Sequence, residues 1–222
     1  MNIKLFLQAI IKFICGVVLV GLLLFLPGGF NYFYGWLFMC ILFIPMFIFG
    51  IILMFKNPDL LKRRLDAKEE EKEQKEVIIL SGVMFILGFI LAGLNYRYKW
   101  IMMPNVISII SFLIFIISYI LYAEVLRENE YLLRTIKVEK NQKVVDTGLY
   151  SIVRHPMYII TIILFLSIPF ILNSIITFII FLIYPIIIVK RIKNEEEVLE
   201  KELKGYKEYK KKVKYRLIPF IW

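Results

Sequence analysis

Long stretches without a single charge alternate along this chain with short, densely charged ones. Phe13–Phe55, Val77–Tyr96, Ile101–Ala123 and Met157–Val189 carry no charged side chain. A helix that crosses a bilayer takes about 20 apolar residues. The pattern therefore predicts six spans, near 10–26, 33–55, 77–96, 102–123, 157–172 and 174–189. The expected fold class is all-α, a polytopic integral membrane protein with about six transmembrane helices. The last two spans form a tight helical hairpin, and helical segments lie at the cytoplasmic side.

Breakers and short loops set the connections. Pro27-Gly28-Gly29 is an uncharged turn signal between the first two spans. Residues 56–76 form a charged segment in which Leu60, Leu61 and Leu65 have helical spacing, which suits an amphipathic helix along the membrane surface. Tyr96, Tyr98 and Trp100 in the next short loop fit an interfacial aromatic belt. The run Met157–Val189 would be about 50 Å long as one helix, against a hydrocarbon core of about 30 Å. Pro169 and Asn173-Ser174 near its middle predict a fold-back into two helices of about 16 residues. Both ends of that hairpin then return to one face, bringing the residues before Met157 close to those after Val189.

Composition agrees with the pattern. Apolar residues make up 60% of the 222, charged residues 21%, and the mean hydropathy is +0.75, beyond the roughly 45–50% apolar content of an average soluble domain. The net charge of +10 reflects topology rather than nucleic-acid binding. With the N-terminus in the cytoplasm, 26 of the 28 Lys and Arg residues fall on the inner side, leaving Arg97 and Lys99 outside, as the positive-inside rule expects. Both termini are thus expected in the cytoplasm, in the cell membrane, with anionic headgroups and the bilayer as partners. Cys15 and Cys40 lie inside spans, with no metal-ligand or disulfide spacing, and read as lone buried thiols. The first apolar stretch has no small-residue cleavage site and reads as an uncleaved helix. With no repeat or linker, one membrane-embedded domain is expected over 1–222, with four helices in 1–123 and the chemistry in 124–222.

The chemistry-bearing residues flank the predicted hairpin. Before it stands Gly148-Leu149-Tyr150-Ser151-Ile152-Val153-Arg154-His155-Pro156-Met157-Tyr158, with the chain's one histidine; after it come Arg191-Ile192-Lys193-Asn194-Glu195-Glu196 and then Tyr215-Arg216-Leu217-Ile218-Pro219. Pro156 suits a first helical turn and would present His155 and free backbone N–H groups toward the space the hairpin closes. Arg154 and His155 can hold an anion there, and Glu195 or Glu196 a cation. The two glutamates lie about 100° apart on a helix, so one points inward and the other braces it. Such a two-pole site suits an amino-acid-like zwitterion. The Lys- and Tyr-rich segment 206–222 reads first as an interfacial anchor that also helps to roof the pocket.

The segment G-x-Y-x-x-V-R-H-P-x-Y, the Arg-x-x-x-Glu-Glu signature, the closing Arg-x-Ile-Pro and Arg127-Glu128-Asn129 together resemble the C-terminal half of the isoprenylcysteine carboxyl methyltransferase family, which is akin to the membrane phospholipid N-methyltransferases. The resemblance covers about 124–222. It implies S-adenosylmethionine bound on the cytoplasmic side, with Tyr150, Arg154, His155, Pro156 and Tyr158 lining its methionine and ribose and Glu195 and Glu196 meeting its ammonium or hydroxyls. Arg191 and Arg216 become candidates, with His155, for orienting substrate or bracing the glutamates. Leu149 stands where relatives often carry Pro, and Leu203-Lys204-Gly205 replaces the commoner Phe-Gly pair. No strand-associated Gly-rich fingerprint of soluble nucleotide-binding folds is present.

The expected activity is thus methyl transfer to a lipidic or amphiphilic acceptor, first as carboxyl O-methylation, with phospholipid N-methylation or thiol S-methylation as alternatives. A carboxylate is its own nucleophile, whereas an amine or thiol must lose a proton, for which His155 is the side chain with an ordinary pKa near neutrality. A small transporter subunit is disfavoured because no acidic residue falls within the spans. An NADPH-dependent membrane reductase is a further alternative.

Overall fold

The computed structural model describes residues 3–65, 72–129, 131–132, 138 and 141–222. Within these the chain is all-helical: α1 (Ile3–Gly28), α2 (Phe33–Lys56), α3 (Pro58–Leu65), α4 (Lys72–Tyr98), α5 (Asn105–Glu128), α6 (Pro156–Ile171), α7 (Ile175–Phe181), α8 (Ile183–Glu202) and α9 (Tyr206–Lys212), with a 3-10 turn over Gly148–Ser151. The helices meet in an aromatic core. Phe85 packs edge-on against both Phe165 and Phe181, at 5.0 and 5.3 Å between ring centroids. Outward faces remain apolar, and Cys15 and Cys40 are exposed on them rather than buried.

Among the described residues five helices are long and apolar enough to cross a membrane: α1, α2, α4, α5 and the stretch Ile175–Glu202. The 16-residue α6 is shorter and spans about 24 Å. It ends at the expected turn, where Asn173 takes a left-handed φ of 55°. This turn is buried, and polar side chains satisfy it as a low-dielectric site requires. Asn173 Oδ1 accepts from Met103 N at 2.6 Å, and Asn95 Nδ2 donates to the carbonyl of Asn173 at 3.1 Å. Tyr32 Oη donates to the carbonyl of Leu172 at 2.6 Å. After the turn, Pro185 removes the N–H that would bond the carbonyl of Phe181, and there α7 gives way to α8.

α1 continues through Pro27 to Gly28 and crosses α4 there. A Cβ on Gly93 would stand 2.7 Å from the carbonyl of Leu24 and from Pro27 Cγ, so the crossing requires glycine, as small-residue contacts between membrane helices often do. Within the charged segment 56–76, residues 66–71 lie outside the described ones. The expected amphipathic helix is α3, but Leu60 and Leu61 bury against Leu5 of α1 and Leu53 of α2 instead of lying free on a surface.

Candidate active site

At the end of the bundle where α1 begins and α8 finishes, α5 hands over to the 3-10 turn through Glu128. Its carboxylate accepts from Leu149 N at 3.0 Å, and a Cβ on Gly148 would stand 1.7 Å from it. Gly148 also has φ +52°, so both space and backbone demand glycine. The chain then passes Tyr150 and reaches Arg154 and His155, whose amides donate to the carbonyls of Tyr215 and Arg216, each at 2.9 Å. These two N–H groups are therefore taken by the C-terminal tail and do not face a ligand, contrary to the expectation for the α6 entry. Pro156, with no N–H to lose, opens α6.

Glu196 is the electrostatic hub beneath this crossing. Its Oε1 accepts from Arg154 Nε at 2.7 Å and lies 3.2 Å from His155 Nε2; its Oε2 accepts from Arg216 Nε at 2.9 Å. The Glu196 and Arg154 side chains are 3% and 4% exposed. Burial by itself would raise the Glu196 pKa. Hydrogen bonds from His155, Arg154 and Arg216 outweigh it and hold the carboxyl well below the usual carboxylate range. Arg154 also donates through Nη1 to the carbonyls of Val213 and Lys214, at 2.8 and 2.7 Å. Arg154 is thus largely committed to structure, not held out for an anion.

Beside the hub opens a cleft with about 100 Å³ of enclosed space and a mouth open to solvent. Of the residues singled out in the sequence, Tyr150, Arg154, His155, Tyr158, Arg191 and Glu195 line it. Pro156, Glu196 and Arg216 are not among its lining residues. Arg191 Nε donates to Tyr158 Oη at 2.8 Å, and Tyr158 Oη donates in turn to Glu195 Oε2. The wall thereby presents a carboxylate and a guanidinium joined through one phenol. Of the two adjacent glutamates, Glu195 faces the cleft and Glu196 braces.

Sequence reasoning missed part of the wall. Leu199, Leu203, Tyr206 and Tyr209 line the cleft, and Tyr209 Oη donates to the carbonyl of Tyr150 at 2.7 Å. Segment 206–216 is therefore a wall and a clamp rather than chiefly an anchor; Phe220 and Ile221 remain exposed. The i, i+4, i+7 spacing of Leu199, Leu203 and Tyr206 was the available signal. Gly205, at φ +89°, makes the turn from α8 to α9, so the altered Leu203-Lys204-Gly205 motif still delivers the helix to the site. The Tyr206 hydroxyl is buried with no hydrogen-bond partner among the described residues. Burial, then the charges of Glu196 and Glu195, push its pKa up, which leaves it a proton donor at neutral pH. The cleft thus offers a carboxylate for a cation, a guanidinium for an anion, apolar walls for a flat ring and one unspent hydroxyl.

Residues 103–205 match the family model of phospholipid methyltransferases. The match covers 103 of the 222 residues. The matched segment runs from the start of α5 through Gly205 and so includes the histidine motif, the hairpin and both glutamates, while Tyr206 and Arg216 lie beyond it. The match suggests a membrane methyltransferase, a class whose methyl donor is S-adenosylmethionine. No curated protein matches the chain.

Proposed function

We propose that the protein transfers the methyl group of S-adenosylmethionine to the carboxylate of a lipidic or amphiphilic acceptor at the cytoplasmic face of the cell membrane. The observation that carries this is the cleft wall in which Glu195 and Arg191 are joined through Tyr158, inside the segment that matches a methyltransferase family. Glu195 receives the donor's ammonium. The cleft-facing edge of the Arg154–His155 corner and Tyr150 border its ribose. The apolar patch of Val144, Val145, Leu199 and Leu203 suits its adenine, and the Tyr206 hydroxyl supplies a hydrogen bond it makes to nothing else described. The bound donor supplies an already activated sulfonium methyl. The residues therefore have to align an in-line approach and exclude water, which is worth up to about 7–11 kcal/mol of the barrier. Cationic Arg191 and Lys143 on the same wall favour an anionic acceptor and orient a carboxylate without any base.

Phospholipid amine N-methylation is the second reading, favoured by the description of the matching family. Purified protein with methyl-labelled donor and total membrane lipids tests both. Base-labile label released as methanol supports the ester, and base-stable label on an amine headgroup replaces it with the second reading. No transfer to any lipid fraction, with S-adenosylhomocysteine failing to raise the melting temperature, overturns the assignment.

A further inference from the structure

Among the described residues, no large apolar side chain is more exposed than Phe220, at 87%, and Ile221, at 77%. Both exceed even the outward faces of the membrane-spanning helices. They are nevertheless held in a fixed loop. The carbonyl of Trp222 accepts from the amides of Arg216, Leu217 and Ile218 at 2.9, 3.0 and 3.2 Å, and Trp222 N donates back to the carbonyl of Ile218 at 3.1 Å. Phe220 is kept at a left-handed φ of 67°, which disfavours a bulky residue, and its ring lies 5.3 Å from that of Tyr215. Both ends of the loop turn inward, since Leu217 and Trp222 pack in the core that the spans share.

The contacts of Arg216 set the depth of this loop. The Lys190–Glu76 ion pair, at 2.6 Å, stands where the apolar runs of α8 and α4 end and marks the edge of the hydrocarbon. Glu196, which Arg216 Nε meets at 2.9 Å, lies six residues further along α8, about 9 Å beyond that edge. A headgroup layer adds about 5–8 Å to each side of the hydrocarbon core. Arg216 therefore stands at the outer limit of that layer, and from there the chain turns back toward the bundle through Leu217 and Trp222.

We propose that the loop Ile218–Ile221 is an interfacial wedge, with Phe220 and Ile221 inserted among the lipid headgroups on the cleft side of the bilayer. Charge agrees with depth. The Arg216 guanidinium sits 5.1 Å from the Trp222 ring centroid, and among the described residues only its Nε makes a hydrogen bond. Its terminal nitrogens are left for a lipid phosphate, and the exposed Lys214 ammonium beside Tyr215 has no carboxylate partner among the described residues. Apolar side chains flanked by cations at headgroup depth fit a phospholipid surface. Insertion also reaches the hub, because the carbonyl of Arg216 accepts from His155 N and its Nε holds Glu196. A bilayer that grips the loop thereby steadies the tail across the α6 entry. The assignment does not depend on what the cleft catalyses.

Two measurements on the full chain test this. In the first, Cys15→Ser and Cys40→Ser remove the native thiols, and Ile221→Cys or Lys207→Cys carries a nitroxide in vesicles of phosphatidylglycerol and phosphatidylcholine. Oxygen concentrates in lipid, and a nickel chelate stays in water. The label at 221 is expected to meet oxygen more than nickel, and the label at 207, on the exposed side of α9, the reverse. Equal nickel access at the two positions overturns the proposal. So does dipolar broadening at 221 that disappears on dilution with unlabelled protein, because a second copy then covers the loop. Ile218→Cys replaces Ile221→Cys should the latter not fold, and its result has the same force. The second measurement uses Phe220→Gly, which removes the ring and suits the left-handed backbone. In nanodiscs of the same lipids, tryptic cleavage after Lys214 and Arg216 is expected to rise about tenfold, the lower end of what burying a phenylalanine is worth, since cleavage follows the population of the open tail. With circular dichroism confirming the fold, unchanged or slower cleavage means that the ring contributes nothing and only backbone strain was relieved, and it overturns the wedge.

Discussion

Replacing Glu196 by Gln keeps the side chain's size and removes its charge, which makes it a direct probe of the hub. The substitution leaves Arg154, 4% exposed at its side chain, without its anion and weakens the hold of Arg216 and His155 on the same carboxylate. Breaking one partner out of a buried pair costs about 3–5 kcal/mol, because a desolvated charge is left uncompensated. Against a total stability of about 5–15 kcal/mol, that is a large fraction. The loss should fall first on the tail, because the guanidinium that Glu196 positions is the one that grips the carbonyls of Val213 and Lys214. Tryptic cleavage after Lys214 and Arg216 should therefore accelerate in Glu196→Gln, together with a fall in melting temperature. The acid dependence follows the same carboxylate. Its folded pKa lies below its unfolded one, so its contribution is complete above the ordinary carboxylate value of about 4.3 and disappears as pH falls below that. The native protein should lose tail protection in that acid range, and Glu196→Gln should flatten the dependence. A Glu196→Gln protein with native melting temperature and native resistance to trypsin would refute the hub.

Three further outcomes separate binding from bracing. Glu195→Gln should leave the melting temperature near native yet weaken S-adenosylhomocysteine binding roughly 10- to 150-fold, the worth of a hydrogen bond to a charged group; native affinity by calorimetry rules out its role in holding the donor. Tyr206→Phe should weaken the same ligand by about 2- to 13-fold without loss of stability, since its hydroxyl has no hydrogen-bond partner among the described residues, and an unchanged dissociation constant removes it from the site. Gly93→Val drives methyl groups into the carbonyl of Leu24 and Pro27 and should cost about 1–3 kcal/mol, read as a lowered melting temperature.

What the chain discloses in advance follows from how local each signal is. The spans and the fold-back at Asn173-Ser174 are carried by contiguous residues, because lipid demands long apolar runs and turns demand breakers. The shortness of α6 was already legible in the distance from Pro156 to Asn173. That it needs no full span was not, because its turn is satisfied by Asn95 and Tyr32, far away in sequence. The clamping part of the tail was not legible for a related reason. The groups that clamp Arg154, His155 and the crossing are backbone carbonyls of 213–216, and every residue has one. Lysines and tyrosines dominated that stretch, so it resembled an interfacial anchor.

The two adjacent glutamates show how the hub and the cleft depend on each other. On α8 an Arg191–Glu195 pair has the less favourable order for a direct i, i+4 contact, and the structure places Tyr158 between them. This arrangement exists only at one rotation of α8 about its axis. On the cleft side Tyr158 holds Arg191 and Glu195. Glu196, about 100° further round, anchors the rotation from the buried side. A buried carboxylate is tolerable only where Arg154, His155 and Arg216 converge, and those three come from the α6 entry and the tail. Satisfying Glu196 therefore turns Arg191 and Glu195 toward the cleft. The cations that the sequence suggested for holding an anion serve instead to fix the phase of the helix that carries the binding carboxylate.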